Sequence, residues 1–413
     1  MRNVLNDFPG RLQRDPGFGN GRPIGIEVWS AEMNGTAYVD FYKRLGISPV
    51  AQDVSDLPRH FGRRDSLYRF LGIPAALVAE RSVIEFGPGS GHNALFTASL
   101  KPNRYVLVDG NPVGVAETRA NLACHGFCEG SIEVVESMFE GFDTAERFDI
   151  VLAEGFLAPH SDAPTRLLRH LSRFTAPGGI LVITTVTPAS LLSEMVRRLM
   201  RSRLIAPDAP ASEQMALMRP ILEPHLATLS GMSRSVEDWL LDNIIQPVRP
   251  DGLLTIPQAL DTLSDDFDAY GSSPSFTTDL RWYKTVHGVR RGFNERMTEC
   301  YFRRLETMVD YRFSPPEHEE ETGRTLEGLC KGIWDLMTAA EATGKRLEAP
   351  ERVSALLAPI ADALRPRLPE TAAALNEVSE VFTGHRSEAE LRLFPAFWGR
   401  GQQYLSLIRR NSP

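Results

Sequence analysis

The 413-residue sequence predicts an α/β fold. A mainly parallel sheet with an antiparallel edge is covered by helices on both faces, and a helical insertion and a helical C-terminal extension are added to it. Three observations carry this reading. Short, wholly apolar runs alternate with helical periodicity from residue 82 to about residue 188. The first of these runs ends in a glycine-rich turn that opens a helix. Beyond residue 188 the alternation gives way to helical patterning.

Taken in order, Ser82–Phe86, Tyr105–Asp109, Ser131–Glu136, Phe148–Ala153 and Gly179–Val186 read as strands. Gly91–Leu100, Val113–His125 and Ala163–Phe174 read as the helices between them; the last carries Leu167, Leu168, Leu171 and Phe174 on one face. Upstream, residues 1 to about 25 are rich in Gly, Pro, Asn and Arg and read as a loosely packed lead-in. Residues 28–80 are patterned as helices. Residues 189–265 form a helical insertion, with a proline-rich joint at Ala206–Ser212 and a helix start at Ser235, where Asp238 completes an approximate capping box. Phe267–His287 reads as two strands around a turn that complete the sheet, and residues 295–413 read as helices only. The resulting organisation is a mostly helical lead-in at 1–80, a core at 81–188, an insertion acting as a lid at 189–265, sheet-completing strands at 266–290 and a helical region at 291–413.

Composition sets limits on function. A formal net charge of -8 disfavours nucleic acid as a partner. Cys124, Cys128, Cys300 and Cys330 lack the tight pairs and histidines of a zinc site, so they are expected to be reduced thiols, and no metal is expected. The N-terminus has no apolar run or cleavage site, and no stretch is long and apolar enough for a membrane span. A cytoplasmic protein without a membrane partner is the expectation, and a homodimer through the helical regions is a further one.

The chemistry is concentrated in Val83–Asn93, VIEFGPGSGHN. Gly87 and Gly89 let the backbone turn tightly and approach a ligand, and Gly91 lets the helix start close to the strand. The helix N-terminus then offers free N–H groups. A dinucleotide site wants G-x-G-x-x-G, but here the glycines fall at Gly87, Gly89 and Gly91, followed by His92. No G-K-[ST] follows, which excludes a P-loop. Asp109 ends the second strand, where a carboxylate can accept both hydroxyl protons of a ribose. Glu85 is a carboxylate in an otherwise apolar run and needs a partner, either a bound ammonium or backbone amides.

The G-x-G-x-G form behind Glu85 resembles motif I of the class I, Rossmann-like S-adenosylmethionine-dependent methyltransferases. YVLVDGNP (Tyr105–Pro112), VVESMFEGF (Val134–Phe142), FDIVLAEGF (Phe148–Phe156) and TAPGGILVITT (Thr175–Thr185) follow in the order of that family's later elements. The resemblance covers residues 82–187 well and 267–287 weakly. It implies S-adenosyl-L-methionine as cofactor, held by Glu85, Gly87, Pro88, Gly89, Gly91, Asn93, Asp109, Gly110, Asn111, Ser137, Met138 and Glu154. Asp109 would take the ribose, Gly110 and Asn111 would lie beside the adenine, and the segment Glu136–Met138 would lie near its amino group.

For the methyl acceptor, Glu154 and His160 follow the fourth strand at the ligand end of the sheet and are the candidate catalytic residues, His160 as a general base. Tyr270, Tyr283 and Lys284 belong to a polar-aromatic cluster and are the candidate substrate contacts. Ala153–Phe156 reads AEGF, not the [DN]-P-P-[YFW] of enzymes that methylate nucleobases. The expected reaction is therefore methyl transfer to an O or N nucleophile of a small molecule, a natural-product intermediate or a saccharide. A non-catalytic cofactor-binding interaction protein and a nicotinamide-dependent oxidoreductase are the alternatives.

Overall fold

The computed structural model describes residues 37–47, 54–127, 130–232, 234–286 and 292–411. The predicted lead-in before residue 37, together with Cys128 and His287, lies outside the described residues.

Seven strands form one sheet: β1 (Ser82–Phe86), β2 (Arg104–Asp109), β3 (Ile132–Glu136), β4 (Phe148–Ala153), β5 (Thr175–Thr185), β6 (Phe267–Ser273) and β7 (Gln403–Arg409). Their order is β3-β2-β1-β4-β5-β7-β6. Strands β1 to β5 pair in parallel, and β7 runs antiparallel to both β5 and β6. The α/β class with a parallel sheet and an antiparallel edge is what the apolar runs predicted.

Side chains alternate across the sheet with period two. Ile84, Phe86, Val106, Val108, Val151 and Ala153 pack on one face, and Val83, Tyr105, Leu107, Ile150 and Leu152 on the other. Both faces are buried, which explains why these strands are mostly apolar. The helices along the chain are α1 (Ala37–Leu45), α2 (Leu57–Phe70), α3 (Ala75–Val78), α4 (His92–Ser99), α5 (Pro112–Cys124), α6 (Pro164–Ser172), α7 (Leu192–Leu204), α8 (Ala211–Leu226), α9 (Val236–Leu240), α10 (Ile256–Thr262), α11 (Phe293–Arg303), α12 (Glu306–Val309), α13 (Glu320–Ala342), α14 (Glu351–Leu364) and α15 (Pro369–Phe382). Local signals set their starts. Asn111 caps α5 by accepting from Val113 N at 3.1 Å, ahead of Pro112. Ser235 caps α9, accepting from Asp238 N at 3.0 Å. The proline-rich joint separates α7 from α8 as expected.

The insertion and the C-terminal helices lock together through buried arginines of α7. Arg198 and Arg201 both bind Glu341 of α13, at 2.7 and 2.5 Å. Arg197 is fully enclosed, with its guanidinium 3.6 Å from the Trp398 ring centroid and its N–H groups on the carbonyls of Ser193 (3.1 Å) and Phe397 (3.0 Å). Such a charge is tolerated because carbonyls and aromatic faces replace its water.

Two sequence expectations are corrected here. The C-terminal region does not end in helix: Gln403–Arg409 is strand β7, inserted between β5 and β6. QYLSLIR alternates, with Leu405 and Leu407 buried, and that alternation is the strand signal. Conversely, Phe267–His287 supplies one strand instead of two. Pro274 directly follows β6, and a proline cannot donate to the ladder. The chain beyond it forms a loop and a single turn of 3-10 helix at Tyr283–Thr285. Among the described helices, none is long and apolar enough to cross a membrane.

Candidate active site

The turn after β1 is shaped for close approach. Gly87, Gly89 and Gly91 all have left-handed backbones, with φ of 71°, 58° and 79°. A Cβ at Gly91 would stand 2.9 Å from Thr118 Cα, so a side chain cannot be admitted where α4 meets α5. The turn is held from the α5 side. Thr118 Oγ1 donates to Gly89 O at 2.9 Å and Asn121 Nδ2 donates to Ser90 O at 2.7 Å.

Asp109, at the end of β2, is fixed by backbone. Its Oδ2 accepts from Gly89 N at 3.0 Å and its Oδ1 from Asn111 N at 2.8 Å. Each oxygen keeps a second lone pair, so the carboxylate can still accept two hydroxyl protons. Burial pushes its pKa up, against the two N–H donors. The side chain of Asn111 is spent locally: Oδ1 caps α5 and Nδ2 donates to Ile47 O at 3.1 Å.

These residues form one end of a cavity of about 840 Å³. Gly87, Pro88, Gly89, His92, Asn93, Asp109, Asn111, Glu154 and His160 line it. Glu85, Gly91, Gly110, Ser137 and Met138 do not appear in that lining. Gly91 acts through the packing just described. Gly110 sits under Met138, whose Sδ would be 2.6 Å from a Cβ there. Next in the chain, Phe139 supplies an apolar wall of the cavity. Phe139 stacks on Phe156 with ring centroids 4.3 Å apart, and Phe156 faces Gly87. The residues at this end suit a nucleoside: a fixed carboxylate for a ribose, apolar rings, and a side-chain-free turn beneath.

Glu85 finds its partner inside the protein. It is 5% exposed, and the Tyr105 hydroxyl donates to it. Burial, with Glu154 adding repulsion, pushes its carboxyl up to about 7. Glu154 lines the cavity and accepts from both terminal nitrogens of Arg64 at 2.8 Å, a bidentate pair.

His160 lines the cavity, but its geometry does not suit a base. Gln246 Nε2 lies 2.8 Å from His160 Nε2. Burial and the neighbouring Arg198 push its pKa down to about 3, while a bond to the Pro247 backbone opposes this. The imidazole is therefore neutral and has little affinity for a proton.

The three expected substrate contacts lie elsewhere. Tyr270 is on the edge strand β6, 46% exposed, packed over the Gly72 turn. Tyr283 is 73% exposed, and Lys284 sits 5.1 Å from the Trp282 ring centroid on the same surface turn. None of the three lines the cavity. For Tyr283 and Lys284, the expected second strand is a 3-10 turn.

Sequence reasoning missed the groups that close the cavity. They come from α1 (Tyr42), α7 (Glu194, Met195, Arg198), the segment around α9 (Arg234, Trp239), the π turn Leu241–Ile245 that continues it (Asp242, Asn243), α13 (Trp334, Met337) and the approach to β7 (Arg400, Gln402, Tyr404). Gly399 and Gly401 belong to the same stretch of wall. The Tyr42 hydroxyl hydrogen bonds with Asp242 and lies 2.6 Å from Gln246 Oε1. Asp242 also accepts from Arg234 at 2.6 Å, and burial pushes its carboxyl up to about 6 against those partners. Helix α1 and the turn after it therefore bridge the Asp109–Asn111 loop, through Ile47 O, and the insertion, through Tyr42.

Comparison with known proteins bears on the same residues. Residues 59–220 match a family model described as a methyltransferase domain. No curated protein matches the chain. Among solved structures, the chain is similar to the N-methyltransferase NodS from Bradyrhizobium japonicum WM9 in complex with S-adenosyl-L-homocysteine. The identity is 22% and the TM-score 0.29, over 36% of this chain and 74% of that one. The CcbJ methyltransferase from Streptomyces caelestis is 26% identical at a TM-score of 0.27, over 31% of this chain and 53% of that one. PKMT2 from Rickettsia typhi is 11% identical at a TM-score of 0.42, over 88% and 55%. The matched domain contains both the glycine turn and the fixed carboxylate of Asp109, so the chain is an enzyme built on a class I methyltransferase domain, with S-adenosylmethionine as its cofactor.

Proposed function

We propose that this methyltransferase acts on an oxygen or nitrogen nucleophile of a small molecule, a natural-product intermediate or a saccharide. The observation that carries the reading is the cavity: about 840 Å³, with the Gly87–Asp109 end and the insertion and C-terminal helices lining one continuous space. Small-molecule sites typically occupy roughly 300–1,000 Å³. When bound, S-adenosylmethionine supplies a methyl group on a sulfonium centre. The protein's part is to orient the acceptor, exclude water and, for a hydroxyl acceptor, take up a proton.

Asp242 suits that last task better than His160. It faces the cavity, and a carboxyl at about 6 is ionised at neutral pH yet more basic than an ordinary Asp. We read the setting as cytoplasmic, without nucleic-acid or membrane partners, and the helical regions as the place for any homodimer contact.

The test is incubation with S-adenosylmethionine and a panel of amines, alcohols, phenols and saccharides, beside RNA, DNA and protein. Mass spectrometry would follow S-adenosylhomocysteine and methylated product. Methylated small molecules are expected; transfer confined to the polymers would overturn the proposal.

A further inference from the structure

Two of the arginines in the acceptor half of the cavity are paired with carboxylates. Arg198 holds Glu341 at 2.7 Å and Arg234 holds Asp242 at 2.6 Å. Arg400 donates Nε to Thr307 O at 2.6 Å and is drawn toward Asp310. Of the carboxylates, Glu154 is tied to Arg64 and Asp242 to Arg234.

Glu194 is different. It lines the cavity from the first turn of α7, just beyond the C-terminal end of β5, where ligands of parallel sheets bind. Its side-chain partner is a hydroxyl: Ser193 Oγ donates to Oε2 at 2.6 Å. Among the described residues it forms no ion pair within 4.0 Å. Arg197, three residues on, attracts it only at longer range, because that guanidinium is turned into the core against Trp398. Burial holds the Glu194 carboxyl above its usual range despite Ser193 and Arg197. Trp239, Trp334 and Tyr404 line the same cavity. A carboxylate without a close ion pair, in a cavity that also presents aromatic faces, favours an organic cation.

We infer that the methyl acceptor is a cationic amine whose ammonium group is held by Glu194 against the aromatic wall of the cavity. This deepens the proposal above and rests on it for the acceptor's being a small molecule. An ammonium must shed one proton before it can react, and Glu194 is placed to take it. That leaves a neutral carboxyl and a free amine. The nitrogen lone pair forms the new N–C bond as the C–S bond breaks and its electron pair returns to sulfur. The product nitrogen then carries the positive charge that sulfur gave up, and the Glu194 proton passes to water.

The experiment uses the full chain saturated with S-adenosylhomocysteine and titrated at neutral pH with n-butylammonium, n-butanol and butyrate, followed by calorimetry or ligand-detected NMR. Butylammonium is expected to bind at least tenfold more tightly than butanol, with butyrate weakest. Glu194→Gln, checked for an unchanged melting temperature, is expected to erase the preference, and Glu194→Asp to keep part of it. Absent butylammonium binding, a preference for butyrate, or equal binding of amine and alcohol overturns the inference. So does a preference that survives in E194Q. If S-adenosylhomocysteine itself does not bind, the cofactor assignment fails instead. If the amine probe fails while neutral small molecules are methylated, only the amine inference falls.

Discussion

Replacing Glu85 with Gln makes the buried carboxyl beneath the cofactor turn measurable. The side chain is 5% exposed, and its pKa rises from 4.5 to about 7, chiefly through burial. At about 1.4 kcal/mol per pH unit, ionising it in the folded protein costs about 3 kcal/mol. Because the folded-state value is raised, the carboxyl's contribution to stability is fully present below about pH 4.5. It is lost as pH rises through about 7. Glutamine keeps an acceptor for the Tyr105 hydroxyl but cannot ionise. Glu85→Gln should therefore gain about 3 kcal/mol on the wild type between pH 4 and pH 8. Urea unfolding of both proteins at a series of pH values reads this difference directly, and titrations shared by the two proteins cancel. Parallel stability profiles, within about 1 kcal/mol at every pH, would refute the reasoning, since a carboxyl so placed cannot ionise without cost.

Three further outcomes follow from the same geometry. Arg64→Met should destabilise the protein by about 3–5 kcal/mol by leaving Glu154 without its bidentate partner; a loss below about 1 kcal/mol in urea unfolding would count against that pair. Gly91→Ala should cost about 1–3 kcal/mol and weaken S-adenosylhomocysteine binding, because its φ is 79° and the new Cβ meets Thr118 Cα at 2.9 Å. Wild-type melting temperature and affinity in that variant would argue against a rigid turn. Tyr42→Phe removes the hydroxyl that joins α1 to Asp242 and Gln246, and should accelerate S-adenosylhomocysteine release several-fold in stopped-flow fluorescence. An unchanged release rate would deny the bonds from α1 to the insertion a role in holding the ligand.

Strands β1, β2, β4 and β5 were legible because both faces of a parallel sheet are buried, which leaves mostly apolar runs such as SVIEF and FDIVLA. The cofactor end was legible for a related reason. A strand, a side-chain-free turn and the carboxylate ending the next strand all fall within residues 82–109, so local sequence carries their geometry. Strand β7 carried only a short alternating signal. Buried polar residues interrupt both of its faces, Gln403 on one and Ser406 on the other, and its partner β5 is more than two hundred residues away in the chain. The acceptor half was legible least. Tyr42, Glu194, Asp242, Trp334 and Arg400 come from separate segments that meet only after the insertion and C-terminal helices pack over the sheet. No spacing rule connects them. His160 shows the converse limit. Its position beyond β4 was read correctly, but its environment, which decides its proton affinity, comes from Gln246 and Arg198 of the insertion.

Calorimetric titration of the wild type and of Asp109→Ala with S-adenosylhomocysteine, with NADH as a control, tests the cofactor site most directly. The wild type should bind S-adenosylhomocysteine and not NADH. Loss of the carboxylate that Gly89 N and Asn111 N hold in place should weaken binding by about 1–3 kcal/mol, on the order of five- to one-hundred-and-fifty-fold. Binding of NADH without S-adenosylhomocysteine would overturn the cofactor assignment, and unchanged affinity in D109A would remove Asp109 from the site.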